Sequence, residues 1–222
     1  MGLFFSNTAL LKKPLVHIIL IALLGIIIYS NTLEVPFQWD EQYYIIENPV
    51  VKDFSYYVNP SKAELGTRYY SFRNRYVSYL TFALNYKLHG LDVLGYHIVN
   101  ISFHVLNAFL VYFLTVLLFR TPFMRGSSLA ARPGPIALFA GLLFISHPIQ
   151  TEAVTYIMQR WALLVAFFYL GSIALYLKWR ITPLTGGLPY LLSLLFALLA
   201  MKSKENAFTL PVVLSFSEFF FF

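Results

Sequence analysis

Long apolar runs constrain this chain more than any other feature of its sequence. Runs of roughly 17 to 25 residues, the length needed to cross the hydrocarbon core of a bilayer, recur along most of its 222 residues. Hydrophobic residues make up 59% of the sequence and charged residues 12%, whereas soluble domains have about 25% charged residues. The sequence therefore predicts an all-α protein, a polytopic transmembrane helical bundle.

The apolar runs divide the chain into six predicted helices and one long polar segment. The helices are expected at residues 14–31, 94–119, 135–147, 161–178, 188–202 and 206–222. Residues 32–92 are polar and aromatic and contain the turn signals NPV and VNPS. Within them, residues 76–88 are amphipathic, which is typical of a helix that lies at the membrane interface. Residues 32–92 are therefore predicted to be a long external loop that carries interfacial helices.

Charged residues are distributed unevenly between the two predicted sides of the membrane. The segments predicted to be cytoplasmic carry seven bases and no acid: Lys12, Lys13, Arg120, Arg125, Arg132, Lys178 and Arg180. Nine of the ten acids, all except Glu218, fall outside or at the outer helix ends. This bias predicts a cytoplasmic N-terminus. It also explains the net charge of +6 without a nucleic-acid partner.

Polar residues that are far apart in sequence are predicted to meet on the external side. They are Asp40, Glu41, His97, Asn100, His104, Asn107, His147, Glu152, Arg160, Lys202, Lys204 and Glu205. Positions 97, 100, 104 and 107 have spacings of three, four and three, so they share one helical face. Such groups are costly at membrane depth unless they face a cavity or one another. Their convergence predicts a functional cavity.

Each of these features also has a purely structural interpretation. Asp40 and Glu41 fit a helix N-cap or a solvated loop, and the His/Asn positions fit hydrogen bonds that join helices. His147-Pro148 fits a turn that ends a helix. Lys202 and Lys204 fit side chains that extend to lipid headgroups. The sequence leaves both interpretations open at every one of these positions.

Metal and nucleotide chemistry have weak support in the sequence. His97 and His104 lie seven residues apart and form no H-x-x-x-H pair, and the chain has no cysteine. No metal site is therefore predicted, although a divalent cation as a cofactor stays open. The chain also lacks the glycine-rich motifs that bind nucleotide phosphates.

Four ordered motifs resemble a known enzyme family. They are FQWDEQYYIIENP, YVSYLTFALNYKLHGLDVLGYHIVNISFHVLNAFLVYFL, FISHPIQTEAVTYIMQRWALL and KSKENAFTLPVVL. The set resembles the membrane part of the transmembrane-plus-tetratricopeptide (TMTC-like) protein O-mannosyltransferases, which belong to the GT-C class of glycosyltransferases. The resemblance implies transfer of a sugar, expected to be mannose, from a polyprenyl or dolichyl phosphate to a protein hydroxyl. It also implies a multi-pass protein of a bacterial inner membrane or the endoplasmic reticulum membrane, with its site on the non-cytoplasmic face.

The resemblance implies roles for particular residues. The acidic pair behind Trp39 corresponds to Asp40, as the base that accepts the acceptor's proton, and Glu41, which orients or substitutes for it. The cations expected to bind the donor phosphate are Arg160, Lys204, Lys202, Arg73 and Arg75. The residues expected to line the substrate cavity are His97, Asn100, His104, His147, Glu152 and Glu205. Two positions depart from the family pattern: Arg73-Asn74-Arg75-Tyr76 replaces an arginine-proline pair, and Gln150 replaces a second histidine.

Members of this family continue through further helices into helical repeats. The 222 residues are therefore expected to be the N-terminal part of a larger GT-C-like protein, which leaves the activity of this part alone open. Two other functions also stay open. A transporter or flippase of a lipid-linked substrate would place binding groups near the membrane midplane, and a non-catalytic membrane scaffold would need no acid at position 40.

Overall fold

The computed structural model describes residues 13–63, 69–182 and 186–222, and it is helical wherever regular structure occurs in these ranges. Lys12, one of the predicted cytoplasmic bases, lies outside the described residues. Seven of the described helices have at least 12 residues: α1 (Pro14–Tyr29), α2 (Tyr76–His89), α3 (Val93–Leu118), α4 (Pro133–Ser146), α5 (Arg160–Ile181), α6 (Leu188–Met201) and α7 (Leu210–Phe221). The prediction of an all-α protein is confirmed.

Several helices are long and apolar enough to cross a membrane. Among the described residues, three qualify by themselves: Pro14–Thr32, Val93–Leu118 and Ile157–Ile181. Pro133–Ser146 and Pro148–Thr155 form a pair bent by 49°, which makes a fourth if the pair is one broken span. These helices confirm the prediction of a helical membrane protein.

The last helix begins later than the sequence pattern suggests. Its predicted start is near residue 206, but Glu205–Thr209 form a 3-10 turn and α7 begins at Leu210. Pro211 lies in the first turn of α7, where its missing N–H requires no helical partner. Because the turn extends the connection from α6, Glu205 lies in a loop at the end of the bundle.

Contacts between successive long helices define two ends of the bundle. At the first end, His17 Nδ1 near the start of α1 lies 3.1 Å from Tyr112 Oη near the end of α3. Pro14, Arg120 and Lys178 line one cavity there, so we call it the basic end. At the other end, the polar segment 32–92 packs against the start of α5 and the α6–α7 turn. We call it the loop end.

The described residues of the polar segment fold into a layer of short helices that covers one end of the bundle. These are a π-helical turn at Gln42–Ile46 and helices at Pro49–Lys52, Ser55–Val58 and Tyr69–Asn74, followed by α2. Their buried side chains, among them Ile45, Val51 and Phe72, share one core with Trp161 of α5. The segment is thus packed onto the bundle through an apolar core that it shares with the start of α5.

Glycines allow α1, α3 and α4 to approach closely. A Cβ on Gly25 would lie 2.9 Å from the Ile145 side chain, and one on Gly141 would lie 2.6 Å from that of Ile21. Both isoleucines are fully buried. Because lipid supplies no hydrophobic force between helices, this close packing is a main source of their association.

We predict that Gly141→Leu lowers the stability of the bundle. The added side chain would push Ile21 and α1 away, at a cost of about 1 to 3 kcal/mol, typical of overpacking. Thermal unfolding in detergent micelles, followed by circular dichroism, should show a lower midpoint. The matched control is Gly126→Leu, because no atom lies within 4 Å of a Cβ at Gly126. Equal midpoints for the two variants would contradict this account of the α1–α4 contact.

Candidate functional site

The two adjacent acids of the sequence lie in opposite environments. Trp39 has a φ of 53°, which is rare for a bulky residue, and the residue is 87% exposed. This turn leaves Asp40 exposed and buries Glu41, which is 1% exposed. The π-helical turn that follows is a type often found at functional sites. Asp40 is therefore the acid of the pair that an incoming molecule can reach.

Glu41 fastens this turn to the bundle. Its Oε2 accepts a hydrogen bond of 2.7 Å from the backbone N–H of Gln38, and its Oε1 accepts one of 2.9 Å from that of Met158. Burial raises the pKa of the Glu41 carboxyl, although these backbone donors oppose the effect. Since both oxygens already have partners, Glu41 is placed to hold Asp40 in position.

Arg160 begins α5 and is fully buried, with 0% exposure. Its guanidinium donates three hydrogen bonds: Nε to Asn100 Oδ1 at 2.8 Å, Nη2 to the Tyr96 carbonyl at 3.0 Å and Nη1 to the Thr81 carbonyl at 3.3 Å. The same group lies 4.4 Å from the centroid of the Phe82 ring. Direct binding of a phosphate by Arg160 stays a prediction, because the contacts described here are with the protein itself.

The polar stripe of α3 is buried and joins α3 to other segments. Each member donates a side-chain N–H to a backbone carbonyl: His97 to Val35 at 2.8 Å, Asn100 to Ile157 at 3.2 Å, His104 to Ile145 at 3.2 Å and Asn107 to Leu163 at 3.0 Å. These contacts fit the interpretation that the stripe holds helices together. The role of His97, Asn100 and His104 in a substrate cavity stays a prediction.

Arg75 links the polar segment to the α6–α7 turn. It forms a bidentate pair with Glu205, with Nε 3.0 Å from Oε1 and Nη2 3.0 Å from Oε2. Its guanidinium also lies 4.1 Å from the centroid of the Trp161 ring. Partial burial acts to raise the pKa of Glu205, but the hydrogen bonds from Arg75, a backbone hydrogen bond and the charges of Arg75 and Lys204 together lower the pKa. Arg75 and Glu205 are thus engaged with each other.

Two of the predicted phosphate ligands meet at a cavity of the loop end. A cavity of about 470 Å³ is lined by Pro60, Tyr69, Phe72, Arg73, Tyr76 and Lys202. Arg73 comes from the short helix Tyr69–Asn74 and Lys202 from the end of α6, and both are exposed. Lys204 is half-buried in the same turn as Lys202. Two cations among aromatic walls suit an anionic group with an apolar attachment.

Tertiary contacts position α2 and the α6–α7 turn relative to each other. The backbone N–H of Val77 donates to the Lys202 carbonyl at 3.0 Å, and Ser78 Oγ donates to the Ser203 carbonyl at 2.9 Å. These bonds hold Lys202 against the start of α2, close in sequence to Arg73. The Arg73–Lys202 cavity is therefore defined by secondary structure on both sides.

His147 and Glu152 make local contacts in the turn between α4 and α5. His147 Nδ1 accepts a hydrogen bond of 3.2 Å from the backbone N–H of Ile149, and Glu152 Oε1 accepts one of 3.2 Å from Gln159 Nε2. Both side chains are exposed. These contacts fit a turn that ends a helix, and the predicted cavity role of the two residues stays a prediction.

A series of contacts connects the acidic turn to the cationic cavity. Glu41 binds Met158, Trp161 lies three residues further on, and Arg75 contacts both Trp161 and Glu205. The structure thus brings the acids and most of the predicted phosphate ligands to the same end. Trp161 lies in one of the four family motifs, but the sequence predicts no role for it. Its contact with Arg75 joins residues that are far apart in the chain, so spacing in the sequence does not reveal it. In the described part of the chain, no group of three His, Asp or Glu side chains is arranged to hold a metal ion.

Comparison with curated proteins finds relatives named protein O-mannosyl-transferases. Protein O-mannosyl-transferase F38B6.6 of Caenorhabditis elegans is 30% identical over 204 residues, covering 89% of this chain and 27% of the relative. Protein O-mannosyl-transferase Tmtc1 of Drosophila melanogaster is 31% identical, covering 84% of this chain and 21% of the relative. Protein O-mannosyl-transferase tmtc2 of Xenopus laevis is 36% identical, covering 70% and 18%. The chain thus spans about a quarter or less of their length.

No protein-family profile matches the chain, and no solved structure matches it.

We predict that Arg160→Lys destabilises the protein although the charge is kept. A single ammonium group cannot replace three directed guanidinium bonds and the contact with Phe82. Loss of one such bond alone costs about 1.5 to 3 kcal/mol, so the thermal midpoint in micelles should fall clearly. Arg132→Lys is the matched control because Arg132 is exposed in the predicted loop. If both variants unfold at the wild-type temperature, the buried network does not support the fold.

Proposed function

Because this chain belongs to the transmembrane-plus-tetratricopeptide (TMTC) family of protein O-mannosyl-transferases, we propose that its loop end forms part of a glycosyltransferase site acting on proteins. The donor in this proposal is a polyprenyl or dolichyl phosphate that carries the sugar, expected to be mannose, and the acceptor is a protein hydroxyl. The observation that carries the proposal is the exposed Asp40 at the same end of the bundle as the Arg73–Lys202 cavity.

In the proposed reaction the exposed acid, Asp40, and the buried acid, Glu41, have different roles. The oxygen of an acceptor serine or threonine bonds to the anomeric carbon of the sugar, while the bond from that carbon to the phosphate oxygen breaks. Asp40 accepts the hydroxyl proton and stabilises positive charge on the sugar. Glu41 keeps the turn in place through Met158, so it acts as a positioning residue.

The leaving group of this reaction is a lipid phosphate, which gains negative charge as the bond breaks. Arg73 and Lys202 provide cationic donors for that charge, and Lys204 lies in the same turn as Lys202. The aromatic side chains of Tyr69 and Tyr76 give the cavity apolar walls for the first part of the lipid. Arg75 and Arg160 position the surrounding segments through their bonds to Glu205 and Asn100.

The proposal also includes an orientation in the membrane. The bias of basic residues supports a cytoplasmic basic end, which would put the loop end on the non-cytoplasmic face of a bacterial inner membrane or an endoplasmic reticulum membrane. There the donor could enter from the bilayer and the acceptor from the aqueous side.

We predict that Asp40→Asn abolishes sugar transfer. The amide keeps the size of the side chain but cannot accept the proton, so the rate should fall by about 100-fold or more. The measurement is transfer of radiolabelled mannose from a polyprenyl phosphate to acceptor protein, in membranes that contain the protein or its variant. Asp53→Asn is the matched control, because Asp53 is an exposed acid whose capping of Ser55 an amide oxygen can replace.

The variant Glu41→Gln tests whether Glu41 acts as a positioning residue rather than as the base. Its amide nitrogen would face a backbone N–H, so the turn should loosen, and both the thermal midpoint and the transfer rate should fall. Transfer at the wild-type rate by Asp40→Asn would refute the proposed base.

We predict that Arg73→Gln with Lys202→Gln weakens use of the donor. Each charge-assisted bond to a phosphate contributes about 1.5 to 3 kcal/mol, so kcat/KM for the polyprenyl phosphate sugar should fall at least 10-fold. The response to acceptor concentration should change little. The control is Lys52→Gln with Lys62→Gln, which removes two exposed bases of the same polar segment outside this cavity. Equal losses in both double variants would mean that general charge, rather than this cavity, matters.

A further inference from the structure

A larger cavity lies between α3, α5 and α6, toward the basic end. It has a volume of about 610 Å³, and its walls include Leu110, Phe167 and Phe196. Arg120 and Lys178 line it as well, near the C-terminal ends of α3 and α5. The cavity is therefore an apolar groove with two cations at one end, and we call it the α3–α5 groove.

The length of the α3–α5 groove matches one leaflet of a bilayer. Its lining runs along α3 from Leu110 to Arg120, which lies two residues beyond the end of the helix, and along α5 from Phe167 to Lys178. At the rise of an α-helix these stretches are about 15 and 16 Å long. The hydrocarbon core of a bilayer is about 30 Å thick. A transmembrane helix would need a groove of about twice this length, whereas the chain of a lipid in one leaflet fits it.

The charges at the end of the groove suit an anionic headgroup. Arg120 and Lys178 are both exposed, and within the described residues neither forms a salt bridge with a carboxylate. Pro14, the first residue of α1, also lines the groove, so Lys13 lies close by in sequence. Guanidinium and ammonium groups at the level of the headgroups attract lipid phosphates.

Two small residues of α5 shape the wall of the groove. Gly171 and Ala174 of α5 both line it. A Cβ at Gly171 would lie 2.6 Å from the Phe196 ring, so a larger residue there would displace the wall formed by α6. A bulky side chain at position 174 would instead occupy the groove itself.

We propose that the α3–α5 groove binds one phospholipid with a net negative headgroup, with its phosphate at Arg120 and Lys178 and an acyl chain along α3 and α5. The site is at the opposite end of the bundle from the Arg73–Lys202 cavity, and it serves a resident lipid that is not consumed. The inference does not depend on the proposed transferase activity.

The test is native mass spectrometry of the full chain, purified in detergent and titrated with phosphatidylglycerol or phosphatidylcholine of equal acyl chains. The expected result is one bound phosphatidylglycerol at a concentration at least 10-fold below that needed for phosphatidylcholine. Arg120→Gln with Lys178→Gln should remove this preference. Arg125→Gln with Arg132→Gln is the control, since both bases are exposed in the predicted loop outside the groove and should leave the preference unchanged.

Groove-filling variants test the place of the acyl chain. Ala174→Phe should reduce retention of both lipids at least 10-fold, and Leu175→Trp serves the same purpose if the first variant does not fold. Three results would overturn the proposal: equal retention of the two lipids by the wild-type chain, an unchanged preference in Arg120→Gln with Lys178→Gln, or tighter binding of polyprenyl phosphate than of phosphatidylglycerol. The last would assign the groove to a donor-type lipid.

Discussion

The buried guanidinium of Arg160 is the interaction on which the arrangement of the loop end depends. A buried charge is costly unless its donors are satisfied. Here the acceptors come from two other helices, with Thr81 on α2 and Tyr96 and Asn100 on α3. All three must be in place together for the charge to be tolerated inside the protein. The start of α5 therefore fixes the positions of α2 and α3, and with them the packed layer over the bundle.

The parts of the proposed site follow from that arrangement. Glu41 bonds to the backbone of Met158, two residues before Arg160, so the acidic turn is tied to the same point of the chain. Arg75 lies just before α2 and reaches Trp161 and Glu205. A single segment, residues 157–161, thus contacts both the turn that carries Asp40 and the arginine beside the cationic cavity. Reactive groups need this kind of support if they are to be held in a productive geometry.

Much of the fold could be predicted from the sequence, because apolar length and helical spacing are local properties. The four polar positions of α3 do share a face, as their spacing predicted. Spacing could not tell whether that face opens to a cavity or bonds to backbone carbonyls, since the carbonyls come from segments up to 62 residues away. The same limit applies to Asp40 and Glu41. They are neighbours of similar chemistry, yet after the left-handed residue Trp39 the first is exposed and the second is buried against Met158.

Packing between the helices is uneven: helices approach closely at several glycines, whereas a groove stays open beside Ala174. On α4, the space beside Gly141 is filled by Ile21, and on α1 the space beside Gly25 is filled by Ile145, so α1, α3 and α4 meet without room for a lipid. On α5, the Phe196 ring covers Gly171, but the space beside Ala174 stays open along α3. A Cβ at Gly171 would lie 2.6 Å from that ring, the same distance as a Cβ at Gly141 from Ile21, so the aromatic ring packs against its glycine as closely as the aliphatic side chain does. Glycines therefore give close packing on both α4 and α5, and the groove lies instead along the side of α5 that faces α3, where Ala174 is among the lining residues.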